Sequence, residues 1–216
     1  MIQFYQNIFD HLLTHWGVCL VLLITDVFLY RNHLWFSYKL RDLSLPDTPF
    51  NIISLVLFNQ FLITFPVFYF LGNIEDGPFL TISNIYKIPL TFIIHECLFY
   101  YLHRLFHTSF LYKHVHKIHH RWKTPWAISA TYAHPIEHLL VNILPIVIAG
   151  VLAGLNFTTL RAWHIFALLN TLISAHGGYK KLDQPNLGSM HDLHHYEFNC
   201  NYGAIGLLDN LHGTRR

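Results

Sequence analysis

The chain has 216 residues, of which 53% are hydrophobic and only 12% are charged. Soluble domains carry about 25% charged residues, so this composition favours an integral membrane protein. The formal charge of +2 is too small to indicate nucleic-acid binding, and three widely spaced cysteines with no C-x-x-C pair exclude a disulfide framework or a thiolate metal site.

Long apolar segments dominate the first half of the chain. The first covers residues 11–30 and is long enough to span a bilayer. The second covers residues 51–72, and Pro66 is expected to kink it. A third long helix is predicted over residues 85–107. Residues 1–84 are therefore predicted to form an N-terminal transmembrane hairpin.

Two shorter apolar segments follow, at residues 139–155 and 160–175, joined by a turn at 156–159. Each is short for a complete span, so we predict a hairpin that crosses the membrane only in part. The predicted fold is an all-α integral membrane protein with about four membrane-embedded helices and a cytosolic histidine-rich metal-binding cap.

The positively charged residues predict the orientation of the chain. The connector 31–50 contains Arg31, Lys39 and Arg41, whereas the loop 73–84 contains no Lys or Arg. Five more cations follow in or after the third helix: Arg104, Lys113, Lys117, Arg121 and Lys123. Because cytoplasmic loops are enriched in Lys and Arg, the histidine-rich parts of the chain are predicted to face the cytosol.

Histidines recur at helical spacing in three motifs, one H-x-x-x-H and two H-x-x-H-H. The motifs are formed by His103 and His107, by His116, His119 and His120, and by His191, His194 and His195. Residues at i, i+3 and i+4 share a helix face, so each motif can direct its imidazoles at one point. His134, which precedes a proline at a predicted helix start, and His176, which ends an apolar segment, are further candidate ligands.

Three carboxylates are candidates for supporting these histidines. Glu96 shares a helical stripe with His103 and His107, where it can orient an imidazole N–H. Glu137 and Asp192 are next to ligand candidates in the sequence. We expect His114 to be solvated, His138 to lie beside the ligands or at the surface, and five further histidines to be structural: His11, His15, His33, His95 and His164.

The candidate imidazoles exceed the coordination number of one metal ion and suit two. Imidazole ligands alone permit iron, copper, zinc or nickel. The spacing therefore predicts a histidine-rich dinuclear site without naming the metal.

The three motifs, at residues 103–107, 116–120 and 191–195, resemble those of the fatty acid hydroxylase/sterol desaturase superfamily. Residues 132–137 and 176–179 are similar to the methylsterol monooxygenase branch, and residues 206–214 to the branch of fatty acid hydroxylase domain-containing proteins. The resemblance predicts a fatty acid hydroxylase domain over residues 85–214.

This resemblance implies a multi-pass enzyme of the endoplasmic reticulum membrane that uses two non-haem irons and dioxygen to oxidise a C–H bond of a lipid, with a methylsterol favoured. Electrons would come from NAD(P)H through a cytochrome b-type carrier and its reductase. The implied iron ligands are His103, His107, His116, His119, His120, His134, His176, His191, His194 and His195. Two alternatives stay open: a fatty acyl hydroxylase or desaturase, and a non-catalytic metal-binding membrane regulator of lipid metabolism.

Overall fold

The computed structural model describes residues 2–32, 48–79, 81–121, 126–176 and 187–216. Within these ranges the chain is helical and contains no strand, which confirms the all-α prediction. The α-helices are α1 Ile2–Arg31, α2 Pro49–Leu71, α3 Ile82–Phe106, α4 Ser109–His114, α5 Pro135–Leu152, α6 Phe157–Leu169, α7 Leu187–Glu197 and α8 Leu207–His212. Two 3₁₀-helices, His116–Arg121 and Ala127–Thr131, connect α4 to α5.

Three helices in the described part of the chain, α1, α2 and α5, are long and apolar enough to cross a membrane. Their surface is inverted relative to a soluble protein. Leu20 and Phe61 are more than half exposed, whereas His15, Asn59 and Gln60 on the same helices are fully buried. Polar side chains inside a helical bundle and apolar side chains outside it are what a hydrocarbon surrounding requires.

Side-chain caps set where the helices begin. The Thr81 hydroxyl accepts from the Asn84 N–H, so α3 begins at Ile82 and not at the predicted residue 85. Asn156 accepts from the Thr159 N–H and starts α6, so the turn of the predicted hairpin lies before residue 157.

In the described ranges, three helices contain or continue into a π-helical turn. These turns are Gln60–Thr64 in α2, His138–Ile143 in α5 and Asn170–Ala175, which continues α6. Pro66, where the sequence predicts a kink, lies in the first turn after the one in α2. Each π turn widens the helix and redirects side chains, and such turns are frequent at functional sites.

Packing brings the two ends of the chain onto the central helices. Cys19 of α1 packs with Ala130 and Leu172, while Tyr100 of α3 packs with Leu208 near the C-terminus. Some predictions fall outside the described residues: those for His33, Lys39, Arg41 and Lys123 and for residues 177–179.

Candidate metal centre

Nine of the predicted ligand residues lie in two clusters, and within each cluster the candidate ligand atoms lie within 4.8 Å of one another. The five-histidine cluster consists of His103, His107, His116, His120 and His194. The four-histidine cluster consists of His119, His176, His191 and His195. The structure thus brings together histidines that are spread over more than ninety positions of the sequence.

Each H-x-x-H-H motif is divided between the two clusters. His191 and His195 lie in the four-histidine cluster, but His194 lies in the five-histidine cluster. At about 100° per residue, His194 and His195 project on opposite sides of His191 on α7, so the motif faces both clusters. His119 is separated from its neighbour His120 in the same manner. The prediction that each motif converges on one point is therefore wrong for the two H-x-x-H-H motifs, whereas His103 and His107 of the H-x-x-x-H motif do lie in one cluster.

The spacing of the ring nitrogens fits metal coordination. Nε2 of His107 lies 2.9 Å from Nε2 of His116 and 3.1 Å from Nε2 of His194. In the four-histidine cluster, the Nε2 atoms of His191 and His195 are 3.2 Å apart. Two nitrogens bound at about 2.1 Å to one ion, at tetrahedral or octahedral angles, lie roughly 3.0–3.4 Å apart.

The opposite ring nitrogen of several histidines is held by an acceptor. The Nδ1 contacts are His103 to the Tyr202 carbonyl at 2.8 Å, His119 to the Tyr132 carbonyl at 3.4 Å, His176 to the Thr171 carbonyl at 3.0 Å, His194 to the Cys200 carbonyl at 2.6 Å, and His116 to Glu137 Oε1 at 2.7 Å. A carbonyl only accepts hydrogen bonds, so Nδ1 carries the proton and Nε2 presents a lone pair.

This assignment decides what the short contacts between rings mean. His119 and His176 both donate from Nδ1, so their Nε2 atoms, 3.4 Å apart, are two lone pairs that cannot hydrogen-bond to each other. A cation between them would turn this repulsion into coordination. The described residues of both clusters therefore fit a pair of metal ions.

Burial keeps these imidazoles neutral. Desolvation, and secondarily the neighbouring His103 and His119, lowers the pKa of His107 to about 2. Desolvation lowers the pKa of His176 to about 4, and it lowers the pKa of His194 and His195 well below the usual value. Because a neutral imidazole is the form that binds metal, few protons have to be displaced at neutral pH.

The predicted supporting carboxylates differ in what they contact. Glu137 lies beside His116 and accepts its Nδ1–H, in a pair with both side chains 1% exposed. Asp192 is also buried, on α7, directly after His191 in the sequence. Both positions are adjacent to the histidines that the sequence associates with them.

Glu96 does not bond to an imidazole in the described structure. Its carboxylate accepts three backbone N–H groups, from Ala204 and Ile205 at 2.8 Å and from Leu208 at 3.1 Å. It thereby fixes the segment whose Tyr202 carbonyl holds His103, so it acts on the cluster through the backbone.

His134 is placed apart from both clusters. It is the N-cap of α5, where its Nδ1 accepts from the Ile136 N–H at 3.2 Å. The expected helix start is confirmed, but the structure does not bring this ring to the other predicted ligands.

Several groups that shape the centre have no signal in the sequence. Asp209 is fully buried and accepts from the N–H groups of Tyr202 and Gly203 at 2.8 and 2.7 Å. This carboxylate sets the backbone that presents the carbonyls of Cys200 and Tyr202 to the histidines. A main-chain carbonyl that orients a ligand can come from any residue type, so no motif marks it.

A cavity adjoins both clusters. His116 and His191 line it on the metal side, and Phe92 and Phe99 contribute apolar wall. His164, which the sequence suggests is merely structural, also lines it. The arrangement can hold a largely hydrocarbon molecule beside two metal ions.

Comparison with known proteins agrees with this centre. The family model described as fatty acid hydroxylase matches residues 88–214. The chain is 39% identical over 175 residues to fatty acid hydroxylase domain-containing protein 2 of Homo sapiens, covering 75% of this chain and 50% of that protein. It is 30% identical over 208 residues to methylsterol monooxygenase 2-2 of Arabidopsis thaliana, covering 87% of this chain and 77% of that one.

A third relative differs in its chemistry. The chain is 30% identical over 204 residues to a very-long-chain aldehyde decarbonylase of Oryza sativa, covering 85% of this chain and 76% of that one. The chain spans about half the length of the human relative. No solved structure matches it.

Proposed function

Because the chain belongs to the fatty acid hydroxylase family, we propose that it is a membrane-bound oxidoreductase that uses two non-haem irons and dioxygen to oxidise a C–H bond of a lipid. The observation that supports this most strongly is the pair of clusters in which neutral imidazoles direct Nε2 lone pairs at two points.

The proposed iron ligands are the nine clustered histidines. The five-histidine cluster would hold one ion and the four-histidine cluster the other, while His134 has no comparable support. Iron supplies the activation of dioxygen in such a centre. The chain's own groups orient the ligands, with Glu137 and the carbonyl of Tyr202 fixing the proton at Nδ1 of His116 and His103. The division into a hairpin, 1–84, and a hydroxylase domain, 85–214, is part of the same proposal.

The favoured substrate is a methylsterol, because two of the relatives that align over most of this chain are methylsterol monooxygenases. The apolar wall around Phe92 and Phe99 suits a hydrocarbon and excludes water beside the clusters. A fatty acyl hydroxylation or desaturation is the second candidate, since a fatty acid hydroxylase of Mycosarcoma maydis is 33% identical over 118 residues.

The proposed location is the endoplasmic reticulum membrane with the metal centre on the cytosolic side. Arg104, Lys113 and Lys117 lie near the clusters, whereas residues 73–79 carry no Lys or Arg. The same basic residues would meet an acidic, cytochrome b-type electron donor that is reduced by NAD(P)H through its reductase.

Metal content tests the proposal. The full chain, solubilised from its native membrane, is expected to contain about two irons and no haem absorption band. His119→Ala should lose lipid oxidation and much of the iron of the four-histidine cluster, because it removes one of four converging nitrogens.

His114→Ala is the matched control. His114 lies in the same stretch of chain but is exposed, and its Nδ1 contacts only the Phe110 carbonyl in the described structure, so iron content and activity should be unchanged. Full iron content and full activity in His119→Ala would contradict the assignment of the four-histidine cluster. A normal metal load with no oxidation of sterol or acyl lipid would instead favour the non-catalytic regulator.

A further inference from the structure

A second group of histidines lies inside the helical bundle, outside the two metal clusters. His11, His138 and His164 are each at least nine-tenths buried and belong to α1, α5 and α6. All three line the cavity that also adjoins the metal clusters. The nine proposed iron ligands account for none of them.

Hydrogen bonds link two of these histidines to Trp16 and Gln60, and every bond has its donor on the Trp16 side. The Trp16 indole N–H can only donate, and it contacts Oε1 of Gln60 at 3.1 Å. The Gln60 amide nitrogen must then donate to Nε2 of His11, 3.3 Å away. His11 therefore carries its proton on Nδ1, which donates to Nε2 of His164 at 3.1 Å. We refer to these four residues as the Trp16–His164 chain.

The last member of this chain is left with an unused donor. Because Nε2 of His164 accepts, its neutral ring carries the proton on Nδ1. That buried N–H has no hydrogen-bond partner among the residues that the structure describes. His138 has a second buried nitrogen without a partner in the described ranges: its Nε2 contacts the Thr64 hydroxyl at 2.9 Å, and because a hydroxyl can donate or accept, its free Nδ1 can be a donor or an acceptor. A buried donor such as the Nδ1–H of His164 normally has a partner, so an acceptor is expected to bind here.

The acceptor can be identified by charge and position. The described residues that line the cavity include no Lys or Arg, so a carboxylate would lose its hydration without gaining a counter-charge. An uncharged hydroxyl oxygen can accept from His164 and also donate. His176 is the C-cap of the π turn that continues the helix of His164; at about 1.5 Å per residue the two positions lie on the order of 18 Å apart along the axis, so a lipid held here can extend to the metal clusters.

We propose that the Trp16–His164 chain is a binding site for the uncharged hydroxyl group of a lipid, with the Nδ1–H of His164 donating to the lipid oxygen. This inference rests on the proposed function, in that it makes the substrate a lipid alcohol and assigns His164 a positioning role. The site should bind free fatty acids poorly, because their carboxylate would lose its hydration without gaining a counter-charge.

Equilibrium binding of three probes of equal chain length tests the site: hexadecanol, hexadecane and hexadecanoate. The full, metal-loaded chain is used in nanodiscs without dioxygen, so that no turnover occurs. We expect hexadecanol to bind about tenfold more tightly than hexadecane, which is the effect of one buried hydrogen bond, and at least as much more tightly than hexadecanoate.

His164→Phe should remove the preference for the alcohol while keeping an aromatic ring against Phe68. His95→Phe is the matched control, because His95 lines the same cavity, stacks on Phe99 and meets Trp163 edge to face, but is not in the chain of hydrogen bonds. The preference of His95→Phe for hexadecanol should equal that of the wild type. A preference that survives in a folded His164→Phe variant would overturn the site.

Two polar variants keep the test decisive if His164→Phe does not fold. His164→Asn places an amide N–H near the position of Nδ1 and should retain most of the preference. His164→Gln places its amide nearer the position of Nε2 and should lose it. Equal behaviour of the two variants would contradict the assigned proton position.

The test separates this site from the proposed function. A chain that prefers hexadecanol yet oxidises no lipid supports the hydroxyl site and contradicts the oxidoreductase proposal. A chain that oxidises lipid but binds the three probes equally overturns the hydroxyl site alone.

Discussion

The carboxylate of Glu137 shows how single residues control the proposed ligands. It reaches Nδ1 of His116 at 2.7 Å, and both side chains are almost completely removed from solvent. The other Nδ1 contacts given above for the clustered histidines go to main-chain carbonyls. An acceptor at Nδ1 fixes the tautomer and the orientation of the ring, so the loss of such a partner weakens metal binding even though every ligand remains.

Replacing this carboxylate should weaken metal binding without removing a ligand. Glu137→Leu leaves the buried Nδ1–H of His116 without its acceptor, so we expect the affinity for the ion of the five-histidine cluster to fall about 10–100-fold. Glu137→Gln retains an accepting oxygen and should lose less. Competition with a chelator measures both affinities. Glu75→Gln, at an exposed position between α2 and α3, serves as the control, and an unchanged affinity in Glu137→Leu would refute the orienting role.

At the scale of elements, the C-terminal segment around Gly203 secures the proposed centre to α3. Carboxylates of Glu96 and Asp209 converge on its backbone N–H groups. A Cβ atom at Gly203 would lie 2.5 Å from Oε1 of Glu96 and 2.8 Å from Oδ2 of Asp209. Neither oxygen can retreat without giving up hydrogen bonds to buried N–H groups.

Gly203→Ala should therefore destabilise the protein by about 1–3 kcal/mol, the usual cost of overpacking, and loosen the carbonyls that hold His103 and His194. Thermal unfolding and metal retention are the measurements. Gly17→Ala is the control: on α1 an added Cβ meets no heavy atom within 4 Å, so stability should stay equal or rise by up to about 1 kcal/mol. Equal melting temperatures for Gly203→Ala and the wild type would contradict this prediction, because they would mean that the two carboxylates can move aside without a loss of stability.

For the whole molecule, α3 separates two chemically different ends. It has 25 residues, about 37 Å at 1.5 Å per residue, so its length matches the hydrocarbon core, although it is not one of the three described helices that are also apolar enough to cross a membrane. The exposed Glu75 lies before it and the exposed His114 lies after it, beside the metal clusters. The orientation proposed above places these two positions on opposite sides of the membrane.

Cysteine labelling tests this orientation. In sealed vesicles with the cytosolic face outward, a membrane-impermeant maleimide should label His114→Cys at once and Glu75→Cys only after permeabilisation. All chains carry Cys97→Ser, since Cys97 is partly exposed, and the chain with that change alone is the blank, because Cys19 and Cys200 are buried. Immediate labelling of Glu75→Cys with protection of His114→Cys would reverse the orientation, and immediate labelling of both would mean that α3 does not cross.

The sequence predicts which histidines come together, but not how they are divided. Recurrence at i+3 and i+4 identifies His116, His119 and His120 as a group because helical spacing is a local property. The division of His119 from His120 depends on how α3, α6 and α7 pack, which no local spacing encodes. The contact between His11 and His164 joins residues 153 positions apart, so a reading by local pattern leaves both rings without partners.

The division of the motifs also governs the order of events when the chain is made. His194 of α7 belongs to one cluster and His191 and His195 belong to the other, so both clusters lack a member until α7 has been synthesised. The rings from His103 to His120 emerge long before it, since N-terminal segments leave the ribosome first. Neither ion can be enclosed during translation of the earlier helices. Under the proposed ligand set, metal loading is a late event of biogenesis in which both ions become enclosed together, after the bundle is in the membrane.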